Sequence, residues 1–111
     1  MVELLLGKGA DVNAQGGYYD TALLAASVGG HEKVVELLLG KGADVNAQEG
    51  RGNRTALQAA SDGGHEKVVE LLLGKGADVN AQGGGYSTAL QAASVRGHEK
   101  VIELLLGKGA L

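Results

Sequence analysis

Gly64–Gln82 reads GHEKVVELLLGKGADVNAQ, and the same 19 residues stand unchanged at Gly30–Gln48. Gly97–Ala110 gives GHEKVIELLLGKGA, the first 14 of them with Ile102 in place of Val. Val2–Gln15 reads VELLLGKGADVNAQ, the tail of a further copy. The period is 33 or 34 residues. A fixed period in the range of about 20–50 residues marks a stacked array, in which each unit buries its apolar side on a neighbour. This pattern decides the fold class, and it argues against a globular enzyme built around a pocket.

One unit, Thr55 to Gln82, reads as helix, turn, helix and protruding loop. Thr55-Ala-Leu-Gln-Ala-Ala-Ser61 is a short Ala-rich helix. Thr55 with Gln58, and Thr88 with Gln91, fit a capping box, in which each side chain satisfies a loose backbone N–H. Thr21 is followed three residues later by Leu24, so only half of the box remains there. Gly63-Gly64 breaks the helix. His65 to Leu73 is expected as the second helix. Val68, Leu71 and Leu72 fall at i, i+3 and i+4, and Val69, Leu72 and Leu73 do so one step round. That stripe is wider than one contact face needs and suits a helix with a neighbour on each side. Gly74-Lys75-Gly76 ends it, with glycine suited to a left-handed C-cap and lysine to the negative end of the dipole.

Composition narrows the function class. Net charge is −3, mild and of the wrong sign for nucleic acid. Cysteine is absent, which removes disulfides, thiolate metal sites and a Cys nucleophile. The N-terminal apolar run is too short for a signal peptide, and no stretch approaches the about 18 apolar residues of a membrane span, so an intracellular location is expected.

These units resemble the ankyrin repeat. The family pattern of Thr-Pro-Leu-His, two Ala, Gly-His, Val, Leu-Leu, Gly-Ala and Asn-Ala is met here by Thr-Ala-Leu-Gln-Ala-Ala, Gly-His, Val-Val, Leu-Leu-Leu and Gly-Ala-Asp-Val-Asn-Ala. The Ala-Leu-Gln-Ala-Ala-Ser variant looks like the arrays attached to fungal NACHT-type receptors. Proline is replaced by Ala22, Ala56 and Ala89, which removes a preset φ at the first turn. The resemblance implies an all-α ankyrin-repeat solenoid of stacked helix-turn-helix units with protruding loops. A partial repeat over 1–15 precedes repeats at 16–48, 49–82 (with a one-residue loop insertion) and 83–111, which shows no distinct cap.

Where the copies differ is the internal comparison the chain offers. All three Tyr and all three Arg lie in variable positions, and all seven Lys lie in the repeated framework. Tyr and Arg are enriched at protein–protein hot spots. In the ankyrin family these places map onto finger tips and the concave groove. The resemblance therefore implies a partner-binding surface made from Tyr18, Tyr19, Asp20, Val28, Arg51, Asn53, Arg54, Asp62, Tyr86, Ser87, Val95 and Arg96. Drift of exposed tips accounts for the same variation without a partner. Family resemblance also makes Asn13, Asn46 and Asn80 candidates for β-hydroxylation, beside a structural role bonding to the next repeat.

Other constellations read as framework. His31, His65 and His98 recur at one place, and repeat spacing of about 10 Å keeps them too far apart to share an ion. Bonds to nearby backbone account for them better. The Gly-Lys-Gly triplets follow helices and lack the Ser or Thr of a phosphate loop. Ser27, Ser61 and Ser94 lack triad partners. Glu32, Lys33 and Glu36 form a solvated, locally paired face. The expected function is a protein-binding module with a protein partner, no cofactor, no metal, no enzymatic activity, and neither nucleic acid nor membrane as partner. The alternative is a designed or truncated scaffold whose apolar ends stack head to tail.

Overall fold

The computed structural model describes residues 18–48, 54–83 and 88–110. Among these residues the regular elements are six helices: α1 (Tyr18–Gly29), α2 (Glu32–Gly40), α3 (Ala56–Gly63), α4 (Glu66–Gly74), α5 (Ala89–Arg96) and α6 (Glu99–Gly107). They form pairs, α1 with α2, α3 with α4, and α5 with α6. The pairs stack in register: α3 packs between α1 and α5 in one layer, and α4 between α2 and α6 in the other.

Local chemistry sets the helix ends. Thr55 caps α3 in a complete capping box: its N–H donates to Gln58 Oε1 at 2.7 Å, and Gln58 N–H donates to Thr55 Oγ1 at 3.2 Å. At α5 the Thr88 half is present, with Gln91 N–H donating to Thr88 Oγ1 at 3.2 Å. The two glutamines differ in their surroundings. Gln58 is buried and its amide donates to the Gly83 carbonyl of the next repeat at 2.8 Å, whereas Gln91 is exposed.

Both helices of a unit close with the Schellman pattern of bonds. At the end of α3, His65 N–H reaches back to Ala60 O at 3.0 Å and Gly64 N–H to Ser61 O at 3.2 Å. At the end of α4, Ala77 N–H bonds Leu72 O and Gly76 N–H bonds Leu73 O. The hinge residues Gly64 and Gly76 carry φ of 71° and 89°, the left-handed region that glycine enters without a Cβ penalty. The expected helix over His65–Leu73 is therefore shifted. His65 is the N-cap, Gly74 remains helical, and the second glycine of Gly74-Lys75-Gly76 makes the turn. The first helix likewise runs to Gly63 rather than stopping at Ser61.

α1 differs from its counterparts. It has 12 residues against eight in α3 and α5 and starts at Tyr18. Leu24 stands where Gln58 completes the capping box, so the sequence carries no reciprocal stop at Thr21.

The core lies between the two layers and between pairs. Leu23 and Leu57 from the first layer meet Val35, Leu38, Val68, Val69, Leu72, Val101 and Leu105 from the second, all fully buried or nearly so. In α4 both Val68 and Val69 have no exposed surface, as the wide stripe requires of a helix covered on both sides. Each such leucine contributes roughly 1.5–3 kcal/mol of burial.

Candidate interaction surface

Stacking brings equivalent positions of successive units beside each other, and side-chain bonds run between them. Asn46 donates from Nδ2 to Gly76 O at 3.3 Å, and its Oδ1 accepts from Asp78 N–H at 2.6 Å. Asn80 repeats the first bond to Gly109 O at 3.4 Å. Gln48 Nε2 donates to Gln82 O at 2.7 Å. The Asp-Val-Asn segment is thus a repeat-to-repeat tie at Asn46 and Asn80. Asn13 lies outside the described residues.

The histidines serve the same end. His65 Nε2 lies 2.9 Å from Val28 O, and His98 Nε2 lies 2.9 Å from Asp62 O. A carbonyl only accepts, so Nε2 carries the proton in both rings. Each ring satisfies one of the carbonyls that the preceding first-layer helix leaves unpaired at its C-terminus. Glycines make room for it: a Cβ added to Gly63 would lie 2.6 Å from His65 Nε2, and one added to Gly30 would lie 2.6 Å from His65 Nδ1. Among the described residues no group of three His, Asp or Glu is placed to hold a metal ion.

Four described members of the variable set, Val28, Asp62, Val95 and Arg96, cluster at the C-terminal ends of the first-layer helices. Val28, Asp62 and Val95 occupy one position in α1, α3 and α5. Val28 is 46% exposed and Val95 is 70% exposed. Arg96 stands where Gly29 and Gly63 stand in the other units, and its Nε donates to Asp62 Oδ1 at 2.9 Å. Asp62 therefore receives two bonds from the third unit, Arg96 on its carboxylate and His98 on its carbonyl. Sequence reasoning singled out Asp62 and Arg96 separately, and the structure joins them. Their separation of 34 residues, one repeat, is the signal that could have found the pair.

The rest of the set is dispersed. Arg54 is half-buried just ahead of the Thr55 cap. Tyr18, Tyr19 and Asp20 lie in the first turn of α1, which corrects their expected place in a loop tip; Leu24 in place of Gln leaves Thr21 without the reciprocal partner that marks the start of α3. Arg51, Asn53, Tyr86 and Ser87 fall outside the described residues. Surface hollows lie instead along α2, beside Lys33, Glu36 and Leu37 and beside His31 to Val34, all framework positions. No described helix is long and apolar enough to cross a membrane.

Comparison with known proteins agrees with the geometry. A family model described as ankyrin repeats (3 copies) matches residues 1–83, and the single ankyrin repeat model matches residues 86–111. No curated protein matches the chain. Ankyrin repeats are, as a class, protein–protein interaction modules rather than enzymes. Paired helices stacked in two layers, tied by Asn and His side chains and matched along nearly the whole sequence, place this chain in the ankyrin-repeat family.

Proposed function

We propose that the chain binds a protein partner through its finger tips and the concave side formed by the first-layer helices, with repeats at 16–48, 49–82 and 83–111 after a leading half-repeat over 1–15. One observation carries this reading: every Tyr and Arg falls outside a framework that otherwise repeats almost letter for letter. The stack supports it by preorganisation. Side chains held on tied helices lose little freedom when a partner docks, and that raises affinity without new contacts. The contact set is Tyr18, Tyr19, Asp20, Val28, Arg51, Asn53, Arg54, Asp62, Tyr86, Ser87, Val95 and Arg96, with Tyr18, Arg51, Arg54 and Arg96 as the main anchors. To test it, proteins captured by the intact chain are identified and then offered the Tyr18→Ala, Arg51→Ala, Arg54→Ala triple variant. Capture of the same protein is expected to fall at least tenfold while thermal stability is unchanged. Undiminished capture by the triple variant sinks the reading.

A self-stacking scaffold, designed or truncated and with no dedicated partner, is the second reading, and the face through which it would stack carries Leu106. Leu39 and Leu73, at the same position in α2 and α4, are 8% and 9% exposed, whereas Leu106 is 53% exposed. Light scattering after size exclusion should then show mass rising with concentration, and Leu106→Glu should hold the chain at one copy. A constant monomer mass over a wide concentration range removes this reading.

A further inference from the structure

We draw no further inference here: the strongest candidate, the surface patch of Val28, Val95 and the Asp62–Arg96 pair at the ends of α1, α3 and α5, belongs to the site already described, and nothing in the structure shows what covers it.

Discussion

Ser27 and Ser61 sit at one position in α1 and α3, fully buried, and neither hydroxyl has a hydrogen-bond partner; Ser94, at the same position in α5, is exposed. A buried hydroxyl that has left water without a partner is destabilising by about 1–3 kcal/mol, while alanine fills nearly the same volume without that penalty. Ser61→Ala should therefore stabilise the protein by roughly 1 kcal/mol in urea unfolding, and Ser94→Ala should leave the midpoint where it is. A Ser61→Ala variant that unfolds earlier would show that the hydroxyl finds a partner in solution. The Asp62–Arg96 pair lies at the other extreme. Both side chains keep contact with solvent, and such pairs contribute about 0.2–1 kcal/mol. Arg96→Ala is expected to lower stability by no more than that, which can be read from the same denaturant titration.

At the level of the element, the existence and order of the helices were legible from the spacing of Val and Leu, and their ends were less so. The triplet Gly74-Lys75-Gly76 offers two glycines for one left-handed position, and the sequence does not say which is used. The six-residue closure between Leu72 and Ala77 requires it at Gly76. Gly74 is left helical with nothing within 4 Å of an added Cβ. Glycine inside a helix is less favourable than alanine by about 0.5–1 kcal/mol. Gly74→Ala should thus stabilise by about that amount, and the equivalent Gly40→Ala and Gly107→Ala should do the same. Gly76→Ala should destabilise by roughly 1–2 kcal/mol, since its φ of 89° is one that side chains resist. Thermal melts of the Gly74→Ala and Gly76→Ala variants should move in opposite directions. The capping boxes show the same limit. The Thr-x-x-Gln spacing is present twice, but the reciprocal bond is shown only at Gln58, whose far end is held by Gly83 of the next unit. A local motif was completed by a non-local contact, and no local reading contains that information.

For the whole molecule, repetition makes the stack readable in the sequence, because a unit present three times must bury the same faces three times. The histidine and asparagine ties follow the same logic: a bond between units is made at the same place in each. The interaction surface was less legible. Differences between copies pick out positions, and beyond the one-repeat spacing they do not say which of those positions touch each other; Tyr18, Tyr19 and Asp20 lie on a helix where the sequence suggested a loop tip. Val28, Asp62 and Val95 hold one repeat position in the sequence, and the stacking of α1, α3 and α5 sets that position side by side.

Letter-for-letter copies create a hazard of mistaken identity during folding. The second-layer helix and loop of the first repeat and those of the second are the same 19 residues, so in that layer the third unit would find an equally good apolar seat on either. The first layer breaks the tie, through the Gln58–Gly83 and Asp62–Arg96 contacts. Seated beside α3, the guanidinium meets a carboxylate; misplaced beside α1, it would meet Val28. A contact that adds little to stability thus serves as part of an address, helping to tell two similar neighbours apart and disfavouring a chain that skips a unit or trades one with another molecule.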